Sequence, residues 1–124
     1  GKGLGHEFLR HVERTGALLL MVDVAADDPG HELGMLREEL TRHGRRLGDL
    51  PFVVLVTKLD IATPTEREAA LAAAGDWCER AGGLGTLGIS AVTGENLDQL
   101  RTWLRRLRDH GAHVTEDPPS VDED

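Results

Sequence analysis

Two uninterrupted apolar runs, Ala17-Leu18-Leu19-Leu20-Met21-Val22 and Phe52-Val53-Val54-Leu55-Val56, constrain the fold of this chain more than any other feature. A strand with one wet face alternates apolar and polar residues. A continuous run is instead the pattern of a strand buried on both faces, as in a parallel sheet covered by helices. After the first run, Asp28 can cap a helix that opens on Pro29, where a missing N–H costs nothing. Leu33, Leu36 and Leu40 would form its apolar stripe and Gly44 its end. After the second run, Thr63-Pro64-Thr65-Glu66 reads as a capping box that starts an alanine-rich helix reaching about Ala81, closed by Gly82-Gly83. A shorter third strand is expected at Leu87-Gly88-Ile89-Ser90. Asn96 and Gln99 then make a box-like start to a helix lined by Leu97, Leu100, Leu104 and Leu107, up to Gly111. Ahead of the first run, Leu4, Phe8 and Val12 share one face of a short helix over residues 3–15, with Leu9 beside them and Gly16 as its stop. The expected fold is α/β, a three-stranded parallel sheet flanked by helices and joined by right-handed crossovers.

Several function classes are excluded early. The 124 residues are 40% hydrophobic and 29% charged, values of a folded chain rather than a disordered one. The apolar runs are far shorter than the ~20 residues of a membrane-spanning helix, and no signal-peptide pattern opens the chain. A lone cysteine, Cys78, builds neither an internal disulfide nor a multi-cysteine zinc site, and in a helix beside Trp77 it reads as core. A cytoplasmic protein with no membrane partner is expected. The net charge is −8, but five acids lie in the last nine residues, so residues 1–115 hold 14 basic against 17 acidic residues. That balance, with only four aromatics (Phe8, Phe52, Trp77, Trp103), speaks against DNA or single-strand binding. The six histidines include no H-x-x-x-H pair, so zinc is not expected. Arg101, Arg105, Arg106 and Arg108, like Arg37, Arg42, Arg45 and Arg46, could touch an RNA, but a solvated arginine face is the plainer reading.

In open parallel sheets, ligands bind outside the carboxyl ends of the strands. The second strand runs into Thr57-Lys58-Leu59-Asp60 and the third into Ser90-Ala91-Val92-Thr93-Gly94-Glu95. Either motif alone is weak evidence, because a carboxylate at a strand end more often caps the next turn. Together, at consecutive strand ends about thirty residues apart, they match the guanine-binding edge of GTPase domains. The chemistry is specific. Guanine presents a ring N–H and an amino group side by side, and one carboxylate, Asp60, can accept from both in charge-assisted bonds of about 1.5–3 kcal/mol each. Lys58 can lay its stem over the base, and the Ala91 N–H can donate to the guanine carbonyl, with Ser90 and Val92 completing that loop. Thr57 stands where the motif more often has asparagine, and its hydroxyl can tie neighbouring loops together.

The first residues narrow the family. Gly3-Leu4-Gly5-His6-Glu7-Phe8-Leu9-Arg10-His11-Val12-Glu13-Arg14-Thr15 closely resembles the segment after switch II in the Obg family of ribosome-associated GTPases. In that family a G-x-G-L-G-x-x-F-L-R-H-[IV]-E-R-T run leads into a strand ending in V-D. The resemblance covers residues 1–111. It implies that Gly1, Gly3 and Gly5 are the flexible end of switch II, that the ligand is GTP or GDP with Mg2+, and that the partner is the large ribosomal subunit.

No G-x-x-x-x-G-K-[ST] phosphate loop occurs in the 124 residues, since Gly1-Lys2-Gly3 is followed by Leu4; no D-x-P-G or switch I threonine occurs either. In the family all three lie upstream of the matching run. The resemblance therefore implies the C-terminal half of a P-loop GTPase G domain at residues 1–112; the composition of residues 113–124 is that of an acidic, disordered tail. Base recognition without phosphate contacts leaves about 3–5 kcal/mol, a dissociation constant of roughly millimolar or weaker. The 124-residue chain is accordingly expected to turn over no GTP alone, and magnesium-dependent hydrolysis by the purified chain would overturn that. One rival reading is a non-catalytic, degenerate G domain that docks on the ribosome or on another protein. Another is an unrelated doubly wound domain in which both loops match by accident. The sequence immediately upstream of Gly1 separates the G-domain reading from the degenerate one: an in-frame phosphate loop and D-x-P-G support the former, a start codon the latter.

Overall fold

A computed structural model of the chain describes residues 16–110. The elements in order are β1 (Leu18–Asp23), α1 (Pro29–His43), α2 (Arg45–Asp49), β2 (Phe52–Thr57), a 3-10 turn (Leu59–Ile61), α3 (Pro64–Arg80), β3 (Thr86–Gly88) and α4 (Leu97–His110). The three strands form one parallel sheet in the order β1-β2-β3, with Leu18 opposite Phe52, Asp23 opposite Thr57 and Val56 opposite Gly88. The expected helix over 3–15 and the acidic tail at 113–124 lie outside the described residues.

Local chemistry explains the helix ends. Asp28 Oδ1 accepts from the His31 N–H at 3.1 Å, ahead of Pro29, and Gly44 closes α1 by donating to the carbonyls of Leu40 and Thr41. At α3 the capping box forms in both directions: the Thr63 hydroxyl accepts from the Glu66 N–H, and the Glu66 carboxylate accepts from the Thr63 N–H. Such a box satisfies two of the N–H groups that a helix start otherwise leaves unpaired.

Helices cover the two faces of the sheet unequally. On one face Leu18, Leu20, Val22, Phe52, Val54 and Val56 meet α1 through Leu33 and α3 through Ala70, Ala74 and Cys78. On the other, Val53, Leu55, Leu87 and Ile89 meet Trp103 and Leu107 of α4. This second layer does not cover β1. Leu19 and Met21 lie in register with Val53 and Leu55, yet they are 38% and 52% exposed. The expectation that the 17–22 run is buried on both faces is therefore corrected: among the described residues β1 alternates buried and exposed, whereas β2 is covered on both sides.

Four other expectations are corrected. Leu36 is exposed, so α1 holds the core through Leu33 with Leu40 half-buried. In α4 the indole of Trp103, 2% exposed, takes the place expected of Leu104, 40% exposed. Both positions fit a helical spacing from Leu97 and Leu100, and burying the indole removes more apolar surface from water. The third strand is Thr86–Gly88 rather than residues 87–90, although the Ile89 N–H still donates to the Val56 carbonyl at 2.8 Å. Arg37 is not on a solvated face. Its guanidinium donates to the Ala81 and Gly48 carbonyls at 2.7 and 3.1 Å and lies 4.8 Å from the centroid of the Phe52 ring. It pins α1 and α2 to the end of α3.

Candidate functional site

Parallel strands bring their carboxyl ends to one edge, and the candidate residues gather there because each follows a strand directly. Asp23 ends β1, Thr57 ends β2, and Ser90 follows β3 by two residues. Thr57 hydrogen-bonds across to β1, its hydroxyl donating to the Val22 carbonyl at 3.4 Å. The next residue turns the chain sharply. Lys58 has φ 63, the left-handed region that costs a side-chain-bearing residue about 1–2 kcal/mol. This turn starts the 3-10 turn, buries Leu59 and leaves Asp60 half-buried at the rim.

Asp60 and Ser90 are in direct contact. The Ser90 hydroxyl donates to Asp60 Oδ1 at 2.7 Å and accepts from the Thr93 N–H at 3.2 Å. The Ser90 residue is fully buried, so its hydroxyl has a fixed direction. A carboxylate offers about four lone-pair positions, and this bond occupies one. Ala91 and Val92, the next two residues, are exposed, Val92 at 82%. The loop closes through the Gly94 N–H, which donates to the Ser90 carbonyl at 2.8 Å, with Gly94 at φ 83. Of the sequence-derived candidates, Thr57, Lys58, Asp60, Ser90, Ala91 and Val92 thus share one edge of the sheet, whereas Gly1, Gly3 and Gly5 lie outside the described residues.

Four residues of this edge were not among the candidates. Asp23 pairs with Lys58, Oδ2 to Nζ at 3.0 Å. The Ala25 N–H on its Oδ1 at 2.8 Å, and then Lys58, hold the Asp23 carboxyl below its ordinary value of 3.8. A carboxyl lowered on folding stabilises the fold fully above about pH 4, and that contribution is lost as pH falls through the lowered value. Asp23→Asn should therefore give a shallower loss of stability below pH 4, read as urea midpoints against pH; identical acid limbs would sink this assignment. Asn96 takes φ 61, and its amide donates to the Gly88 carbonyl at 2.8 Å. Asn96 stands directly before α4, where its carbonyl accepts from the Leu100 N–H at 3.1 Å, and its side-chain amide braces the end of β3. Arg67 and Glu95 pair beside the same loops, Nη1 donating to both carboxylate oxygens at 3.1 Å. Asp23 had a visible signal in its strand-end position. Arg67 had none, since its partner is 28 residues away.

Close approach of the backbone also shapes this edge. A Cβ on Gly88 would stand 2.9 Å from Leu59 and 3.1 Å from Leu71, so glycine at the end of β3 lets the Leu59 turn sit against the third strand. The Leu59 N–H in turn donates to the Ile89 carbonyl at 3.1 Å. Next to the site, a groove of about 540 Å³ opens between the loop after β1 and α3, lined by Val24, Asp27, Ile61 and Glu66 among others. None of the six candidate base-edge residues lines it. Among the described residues no group of three or more His, Cys, Asp or Glu side chains could hold a metal ion. None of the described helices is long and apolar enough to cross a membrane.

No family model matches the chain. Among curated proteins it is similar to the GTPase Obg of Parasynechococcus marenigrum (strain WH8102), 40% identical over 105 residues that make up 83% of this chain and 31% of that protein. It is 43% identical over 103 residues to the GTPase Obg of Syntrophotalea carbinolica, covering 81% of this chain and 28% of that protein. With the GTPase Obg of Salinibacter ruber it shares 43% identity over 101 residues, 82% of this chain and 29% of that protein. The chain thus spans a little under a third of the length of these relatives.

Proposed function

The chain belongs to the Obg family of GTPases over the segment that it shares with them, and from that premise we propose that it is the guanine-recognition part of a G domain. In this reading the Asp60 carboxylate accepts from the ring N–H and the amino group of guanine. The Lys58 stem lies along the base, and the Ala91 N–H donates to the guanine carbonyl. Ser90 orients Asp60, while Thr57 and Val92 frame the two loops. The observation that carries the reading is the 2.7 Å contact between Ser90 and Asp60 at the ends of neighbouring parallel strands. It is supported by complementarity: adenine lacks the adjacent donor pair that a single carboxylate can bind, so this arrangement is a filter for one purine.

GTP and GDP binding, magnesium-dependent hydrolysis and work on the large ribosomal subunit in the cytoplasm are proposed for the whole protein. No step of hydrolysis is assigned to the described residues. The testing experiment is base competition, by NMR titration of the chain with GMP and AMP. GMP should shift the Asp60 and Ala91 amides at millimolar concentration, and AMP should shift them far less. Equal responses to both nucleotides would reject the reading.

A further inference from the structure

We propose that Arg67, on the first turn of α3, is a positioning residue that clasps the two base-recognition loops together and sets the distance between Asp60 and Ala91. The proposal rests on the reading of this edge as a guanine site. Arg67 Nε donates to the Leu59 carbonyl at 2.9 Å, the residue just before Asp60. Its Nη1 donates to both Glu95 carboxylate oxygens at 3.1 Å. Glu95 in turn accepts, on its main-chain carbonyl, the Ser90 N–H at 3.2 Å. With the Ser90–Asp60 bond this makes a closed ring that runs from Asp60 through Leu59, Arg67, Glu95 and Ser90 and back to Asp60.

An ordinary surface ion pair contributes little, because two mobile side chains meet in water. This one differs in three respects. The side chains are 30% and 39% exposed, against more than 60% for both partners of the Arg80–Asp76 pair. The guanidinium reaches three acceptor atoms from two of its nitrogens, Nε on the Leu59 carbonyl and Nη1 on both Glu95 oxygens, a spread that the single ammonium of lysine does not offer. The pair also joins segments 28 residues apart, and those two segments are the ones that must face the same base. Neither Arg67 nor Glu95 is assigned a contact with the base. Their effect acts through the spacing of Asp60 and Ala91.

The test is NMR titration of the 124-residue chain and its variants with GMP and with AMP, reading the Asp60 and Ala91 amides. Arg67→Ala should weaken GMP binding about tenfold and bring the response to GMP close to that to AMP, while β1 and β2 amides keep their shifts. Glu95→Gln, which leaves the bond from Arg67 to Leu59 in place, should move in the same direction by a smaller factor. Arg67→Lys should recover part of the preference, because it keeps the charge and loses the fork. A simple loss of folded protein would lower both responses equally and would not be rescued in this order. If Arg67→Ala does not fold, Glu95→Gln decides. Full GMP preference in the folded Arg67→Ala chain, or in Glu95→Gln where that decides, overturns the clasp and leaves the guanine reading standing. Absence of any GMP preference in the unaltered chain overturns both.

Discussion

Asp60→Asn should exchange a preference for guanine for a preference for xanthine. Two charge-assisted bonds of about 1.5–3 kcal/mol each are lost with the carboxylate, which amounts to roughly 10²–10⁴ in guanine affinity. Xanthine carries a carbonyl where guanine has its amino group, so the new amide can donate to it. The orientation of that amide follows from Ser90. Its hydroxyl donates to the Asp60 carboxylate, and the Asn variant keeps that bond only by turning its oxygen to Ser90. The asparagine oxygen therefore faces Ser90, and its NH2 group faces the base. Competition between GMP and xanthosine monophosphate, read at the Ala91 amide, is the measurement. If the variant still selects guanine, Asp60 is not the base-selecting group.

The second large effect is on stability. α1 is held to the sheet by few side chains: Pro29 and Leu33 are its buried residues, and Leu33 is 0% exposed among Leu20, Val22 and the α3 alanines. Leu33→Ala removes the lost transfer energy and leaves a cavity, and is expected to cost about 3–4 kcal/mol. Against a total of roughly 5–15 kcal/mol for a natural domain, that is a large share. Urea unfolding should show a lower midpoint with an unchanged slope. A loss below about 1 kcal/mol would mean that α1 is anchored elsewhere, Arg37 being the other strong attachment.

The exposed side of β1 bears on how such a chain behaves in solution. Leu19 and Met21 lie on β1, an edge strand of the sheet among the described residues, and an apolar edge of this kind invites pairing with another chain. The same residues show where pattern reading reaches its end. A run of six apolar residues announces a strand and cannot say whether one or two layers cover it.

Much of the base edge was nevertheless legible. Thr57, Lys58, Asp60 and Ser90 could be placed at one edge because parallel strands joined by helices must present their carboxyl ends together. The capping box at Thr63 and the caps at Asp28 and Gly44 were legible for a simpler reason, since each is a bond between residues three or four positions apart. Spacing along the backbone decides such bonds before any tertiary contact forms. Other features have no such local trace: Trp103 rather than Leu104 in the core, Arg37 stacked on Phe52, Asn96 bracing Gly88, and Arg67 reaching Glu95. Helical periodicity admits both Trp103 and Leu104. The polar contacts join residues 8 to 44 apart, and they exist only where packed helices bring a donor within about 3 Å of an acceptor. Element order, helix ends and the strand-end carboxylate are therefore properties of the amino-acid order, written in short-range hydrogen bonds and hydrophobic spacing. The face that β1 leaves open and the ring that joins the two loops are properties of the assembled layers, because distance in space, not position in the chain, selects their partners.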